Sequence, residues 1–166
     1  METEQNANPR NRLTFLGTGT SSGVPVLGCD CPVCTSTDPR DKRTRISALL
    51  ETGRSLEEQD YLLIDSSIDL RAQLLREGTP LVTRVAYTHD HVDHFFGLDE
   101  LRGIQFRTRR PIELYGSPET LNSLRRVYTH LFDETVQKGG GILLVETHPV
   151  EERFAAGGFE LEPLPI

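Results

Sequence analysis

The feature that most restricts the fold is a histidine-rich segment, His89-x-His91-x-Asp93-His94, which directly follows an apolar run at residues 82–87. Three of the five histidines in this 166-residue chain lie in this segment. The apolar run predicts a buried strand that ends just before His89. Imidazole and carboxylate groups are common ligands of zinc and similar metals. The pattern therefore predicts a strand whose carboxyl end carries a metal site.

The spacing of these side chains favours two metal positions. His89 and His91 project to the same side of an extended segment, so both can reach one ion. A turn into a helix at Asp93 and His94 would direct these two side chains to a second position nearby. Two ions about 3.5–4 Å apart can polarise a phosphoryl or carbonyl group and activate water near neutral pH. The alternative is a solvated polar turn that happens to be rich in histidine.

A second cluster contains all three cysteines of the chain, Cys29, Cys31 and Cys34. Three thiolates on one short loop can occupy three corners of a structural zinc site, which then needs a fourth ligand. The alternative is three reduced cysteines without a metal. An odd number of cysteines this close together is a poor disulfide framework, and we therefore expect a cytoplasmic protein.

The remaining patterns predict an α/β fold with mixed sheets. Strands are predicted at residues 12–16, 46–50, 61–64, 82–87, 112–115, 142–146 and 159–164. Helices are predicted at residues 68–76 after a Ser67 cap, from residue 95 to 101, and from Pro118 to about Phe132 after a Ser117 cap. Residues 1–11 are polar and predict a disordered leader without the features of a secretory signal, which leaves residues 12–166 as one partial domain.

Charge and hydropathy restrict the partners. Eighteen Lys and Arg against 25 Asp and Glu give a net charge of −7, which argues against broad nucleic-acid binding. No apolar run approaches the roughly 20 residues that a membrane-spanning helix needs. A phosphate substrate is still compatible with this negative net charge, because bound metals can supply positive charge locally. Basic clusters at residues 40–45 and 102–110 are either solvated faces or contacts for substrate phosphates. The glycine-rich residues 17–23 predict a close-packed loop beside the metal site rather than a nucleotide site.

Several of these segments together resemble the metallo-β-lactamase superfamily. Residues 88–94 resemble its metal motif, and residues 13–20 and 63–65 resemble its first strand and the strand that ends in a structural aspartate. Residues 23–25, 28–34 and 43–45 are similar to the branch that holds the phosphoribosyl cyclic phosphate phosphodiesterase of phosphonate breakdown, a relative of transfer-RNA 3′-processing ribonucleases.

The resemblance implies an αββα sandwich, of which this chain would be the N-terminal portion only. It implies that His89 and His91 bind a first divalent ion, zinc or manganese, and that Asp93 and His94 bind a second. Asp65 would brace the metal loop. The implied reaction is hydrolysis of a small phosphodiester, such as a cyclic phosphate or a similar ester, by metal-activated water, with Asp93 as the catalytic proton partner.

The resemblance implies that three further ligands of such a site lie beyond Ile166, so that this chain would be truncated at its C-terminus. The histidine that would complete the cysteine site would lie there as well. Among the other histidines, His130 is predicted either on a helix surface or partly buried, and His148 is predicted in a turn. Because an incomplete sandwich exposes apolar edges, we expect self-association into a homo-oligomer. The alternative functions are hydrolysis of a thioester, lactone or lactam, and a non-catalytic metal-binding fragment.

Overall fold

A six-stranded mixed sheet forms the centre of the computed structural model, which describes residues 11–53, 58–133, 135 and 141–164. The strands follow one another in the sheet in the order of the sequence: β1 Arg12–Gly17, β2 Ser47–Thr52, β3 Asp60–Ile64, β4 Arg84–Ala86, β5 Ile112–Gly116 and β6 Val145–Pro149. The first three strands are antiparallel neighbours, whereas β3 to β6 run parallel. The carboxyl ends of four strands therefore meet at one edge of the sheet.

Helices cover one face of this sheet: α1 Leu70–Arg76, α2 Val92–Phe95, α3 Arg102–Thr108, α4 Pro118–Val127 and α5 Thr129–Phe132. Alternate strand residues, among them Leu49, Leu63, Val85 and Leu114, point into the core on this side and are at most 1% exposed. In the part of the chain that the structure describes, no helix combines the length and the apolar character that crossing a membrane requires.

A two-stranded hairpin, β7 Phe154–Ala156 and β8 Phe159–Leu161, covers part of the opposite face. A smaller apolar cluster of Leu62, Ala86, Tyr115 and Ala156 joins the two sheets. Helices on one face and a second sheet on the other are the layers expected of the N-terminal portion of an αββα sandwich. The predicted fold class is confirmed.

The boundaries differ from the predicted ones where tertiary contacts intervene. The first helix begins at Leu70 rather than residue 68, and the Ser67 hydroxyl donates to Gln73 Oε1 instead of capping the helix. The helix that Ser117 caps ends at Val127, because Tyr128 has non-helical backbone angles. Residues 1–10 of the predicted leader lie outside the described residues.

The prediction of a turn at His148 was wrong. The last strand of the sheet spans Val145–Pro149, three residues later than its predicted start, and it includes His148. The register pairs His148 with Tyr115 on β5, and the two rings stack with centroids 4.8 Å apart. Stacking on a buried tyrosine explains why a residue next to proline lies in a strand. His130 lies exposed on α5, so of its two predicted positions the helix surface is confirmed and partial burial is wrong.

Candidate metal centre

The histidine-rich segment lies at the edge where the parallel strands end. Asp65 directly follows β3, and His89 comes three residues after the last residue of β4. The segment then turns into α2 at Val92, with His91 in an extended conformation just before it (φ −74°, ψ 147°). Ligands commonly bind at the carboxyl ends of parallel strands in open α/β sheets.

Asp65 is the centre of the hydrogen bonding in this region. Its side chain is nearly fully buried, and its backbone is left-handed with a φ of 58°, a conformation that aspartate tolerates better than most residues. One carboxylate oxygen accepts the backbone N–H of Thr88 at 2.9 Å, and the other accepts the Thr88 hydroxyl at 2.8 Å. The second oxygen also lies 2.7 Å from Nδ1 of His94. Asp65 thus joins both ends of the histidine-rich segment to the end of β3.

The three histidines of the segment lie close together. The ring centroids of His89 and His91 are 4.5 Å apart, and those of His89 and His94 are 4.0 Å apart. Asp93 Oδ2 lies 3.5 Å from Nε2 of His94. The structure therefore brings all four predicted ligands to one place, as two adjoining pairs.

The donor chemistry of these side chains fits a metal. His94 can donate its Nδ1 proton to Asp65, which leaves Nε2 unprotonated for an ion. Nδ1 of His89 lies 3.0 Å from the Thr88 hydroxyl oxygen. Because that hydroxyl donates its own proton to Asp65, it accepts the Nδ1 proton of His89, which leaves Nε2 of His89 unprotonated as well. Partial burial lowers the pKa of His89, and the charges of His94 and His91 lower it further. Metal binding requires such neutral imidazoles.

Neither pair, His89 with His91 or Asp93 with His94, supplies all the ligands that a metal ion needs. Among the described residues, the cysteine cluster alone has three or more potential ligand atoms that all lie within 4.8 Å of one another. A zinc site needs four ligands in total. Each position at the histidine-rich segment therefore needs ligands from elsewhere, in agreement with the further ligands that the resemblance implies.

Asp90 has a role that the sequence did not predict. The hydroxyl of Ser123, on α4, donates to the Asp90 carboxylate at 2.6 Å, and this hydrogen bond lowers the pKa of Asp90. Arg126 in turn donates to Ser123 at 2.7 Å. Asp90 thus anchors the segment to α4. No local pattern could reveal this contact, because its partners are 33 residues apart.

The cysteine loop forms a second candidate metal site. The sulfur atoms of Cys29, Cys31 and Cys34 all lie within 4.8 Å of one another, and all three residues are free thiols. Hydrogen bonds from the Cys34 backbone and from the Cys29 side chain lower the pKa of Cys31 to about 7. The backbone N–H of Val26 donates to the Cys34 sulfur at 3.4 Å. Thiolate formation at Cys31 near neutral pH and the mutual proximity of the three sulfur atoms both suit zinc.

The fold and the two ligand clusters together define a domain of the metallo-β-lactamase fold. The sequence profile of the beta-lactamase superfamily domain matches residues 60–166, and the chain belongs to this family. The family resemblance that the sequence predicted is confirmed.

Comparison with known proteins also finds more specific similarities. A diphosphatase from the PhnP family superimposes with a TM-score of 0.80 at 36% identity, over 95% of this chain and 58% of that protein. The zinc-bound PqqB from Methylobacterium extorquens superimposes with a TM-score of 0.60 at 25% identity, over 94% of this chain and 49% of that protein. An octanoyltransferase of Porphyromonas gingivalis is 39% identical over 93% of this chain, but over 30% of its own length. The chain thus spans between about a third and three fifths of these relatives.

Proposed function

We propose that this chain provides the first metal-binding part of a metal-dependent phosphodiesterase that acts on a small phosphodiester, such as a cyclic phosphate or a similar ester. The observation that carries the proposal is the Asp65-braced segment, which holds His89, His91, Asp93 and His94 together at the carboxyl end of β4. The similarity to a PhnP-family diphosphatase supports phosphate chemistry. The similarity to an octanoyltransferase does not support acyl transfer by this chain. The name describes the whole of that protein, and this chain matches 30% of its length.

In the proposed site, His89 and His91 hold one divalent ion, and Asp93 and His94 hold another. The ions, zinc or manganese, would polarise the phosphoryl group and make water more acidic. Asp65 keeps the proton on Nδ1 of His94 and fixes the orientation of that ring. Oδ2 of Asp93 lies 3.5 Å from Nε2 of His94, and Asp93 would also accept a proton from water.

A third ion, a structural zinc, is proposed at Cys29, Cys31 and Cys34. The support is the proximity of the three sulfur atoms, together with the lowered pKa of Cys31. Three free thiols close together also favour a reducing compartment, so a cytoplasmic location stays part of the proposal.

Hydrolysis of bis(p-nitrophenyl) phosphate by a zinc- or manganese-loaded full-length protein that contains this chain tests the function. His89→Ala and His94→Ala should each abolish turnover, because each removes a ligand. His130→Ala is a matched control, because His130 is an exposed histidine on α5, and it should leave turnover unchanged. Faster turnover of a thioester, lactone or lactam in a parallel panel would replace the phosphodiester assignment with the corresponding hydrolase.

The second candidate is a metal-binding fragment without activity. The ligand pairs favour it, because neither pair completes a coordination sphere within the described residues. Metal counting by mass spectrometry separates the two candidates. Two ions per chain beyond any zinc at the cysteine loop, at least one of which is lost in His89→Ala, support an enzyme. No ion at the histidine-rich segment supports the fragment.

A further inference from the structure

Asp90 lies between the first two histidines of the histidine-rich segment and connects this part of the segment to α4. Residues 89–91 lie outside any helix or strand. Side-chain hydrogen bonds hold this stretch from two directions. On one side, Thr88 donates twice to Asp65 at the end of β3. On the other side, the Ser123 hydroxyl on α4 donates to the Asp90 carboxylate at 2.6 Å.

The helix α4 gives the second contact a fixed support. Its first turn is capped, since the Ser117 hydroxyl accepts the Thr120 N–H at 3.2 Å. Leu121 and Leu124 are buried in the main core. Ser123 is also buried, at 7% exposed. The hydroxyl is thus held by the helix and shielded from water, which strengthens its hydrogen bond to a carboxylate.

Arg126 determines the direction in which the Ser123 hydroxyl donates. It lies one helical turn farther along α4, and its guanidinium donates to the Ser123 oxygen at 2.7 Å. A hydroxyl has one proton to donate. Because its oxygen accepts from Arg126, that proton goes to the Asp90 carboxylate. The positive charge of Arg126, one hydroxyl away from the carboxylate, polarises the same hydrogen bond and strengthens it.

The two ligand pairs of the segment therefore have different supports. Asp65 contacts the ring of His94 directly, at 2.7 Å. His89 and His91 instead flank Asp90, so the contact with α4 holds the backbone from which both rings project. Their ring centroids are 4.5 Å apart. Two imidazoles share a zinc ion only if a nitrogen of each stays about 2.0–2.1 Å from it, which a rotation of the backbone between them would prevent.

We infer that Ser123 is a positioning residue for the ion proposed at His89 and His91, and that it acts through Asp90. The inference rests on the metal site of the proposed function and is independent of which bond is hydrolysed. Loss of the Ser123 hydroxyl should weaken this ion about tenfold, which is the lower end of the effect of groups that orient metal ligands. The lower end is expected because Ser123 acts on the backbone between the rings and not on a ring.

Chelator competition on a full-length protein that contains this chain measures the affinity for each ion at the histidine-rich segment. Ser123→Ala should weaken one of the two ions about tenfold. Ser123→Thr keeps the hydroxyl and should preserve the affinity. Ser117→Ala is the control, because it removes the cap of α4 but no hydrogen bond to Asp90. It should lower the free energy of unfolding and leave both affinities unchanged.

Two further measurements separate positioning from a general loss of stability. The first is nuclear magnetic resonance of protein labelled with nitrogen-15 at its histidines. In Ser123→Ala, the ring signals of His89 and His91 should return to their metal-free positions at a lower chelator concentration than in the parent. The signals of His94 should not. The second is a double substitution: in an Asp90→Ala background, Ser123→Ala should cause no further loss, because the contact is already absent.

Unchanged affinity in Ser123→Ala would overturn the inference, and so would an equal loss in Ser117→Ala or an equally early release of His94. A further loss in the Asp90→Ala background would also overturn it, because Ser123 would then act by another route. A parent protein that binds no ion at the segment would overturn both this inference and the proposed function. Absent phosphodiester turnover in a protein that binds both ions would overturn the proposed function alone.

Discussion

The carboxylate of Asp65 lies 2.7 Å from Nδ1 of His94, although the two residues are 29 positions apart in the sequence. The same carboxylate accepts two hydrogen bonds from Thr88. A single buried side chain thus sets the position of the histidine-rich segment at both of its ends. Partners of this kind, behind the ligands of a metal, commonly change metal affinity without touching the ion.

Asp65→Asn should therefore weaken metal binding at the histidine-rich segment about ten- to a hundredfold. Asparagine tolerates the left-handed backbone of this position but lacks the charge that holds the His94 proton. Competition with a chromogenic chelator measures the affinity, and Asp133→Asn, at an exposed aspartate, controls for the change in net charge. Unchanged affinity in Asp65→Asn would show that this carboxylate does not support the ligands.

Gly97 is a second position at which the segment depends on close contact. Its N–H donates to the Ser66 carbonyl oxygen at 2.9 Å, and a Cβ there would lie 1.9 Å from the Ser67 carbonyl oxygen. Gly97→Ala should lower the free energy of unfolding by at least about 2 kcal/mol, because backbone must move. Gly103→Ala is the matched control, because a Cβ at Gly103 would meet no atom within 4 Å. This substitution should stabilise α3 by about 0.5–1 kcal/mol. Chemical denaturation compares the two, and equal stabilities would contradict the packing.

Local patterns in the sequence were sufficient for most of the fold. The strand at Arg12, the hairpin of β2 and β3 and the Ser117 cap were predicted, because each depends on alternation, a turn or a cap within a few residues. The clustering of the histidines could be predicted for the same reason, since all lie in one short segment.

Contacts between distant residues could not be predicted. His148 lies in a strand because Tyr115 and the register of β5 place it there, and nothing next to His148 encodes that neighbour. The attachment of Asp90 to Ser123 is another such contact. Asp65 was assigned its bracing role from the family resemblance alone. The structure now supplies the geometry of that role, and the role itself stays a prediction.

All four tyrosines should resist ionisation in the folded protein. Burial raises the pKa of Tyr115 and Tyr128 to about 12, and burial also raises the pKa of Tyr61 and Tyr87. Because the unfolded chain loses these protons near pH 10, the stability is complete below that pH and falls as the pH rises toward 12. Tyrosinate absorbance should therefore appear together with the loss of circular dichroism. Ionisation near pH 10 with the fold intact would contradict this burial.

The edge strand β1 should cause self-association. Leu13 lies opposite Leu50 on the face that the hairpin of β7 and β8 only partly covers, and it is 54% exposed. Exposed apolar side chains on an edge strand favour pairing with a second chain, and a lysine on such a strand opposes it. Leu13→Lys should therefore shift sedimentation toward the monomer, whereas Val127→Lys, on the exposed surface of α4, should not. A parent chain that sediments as a monodisperse monomer and unfolds in one sharp transition would show that this edge needs no partner.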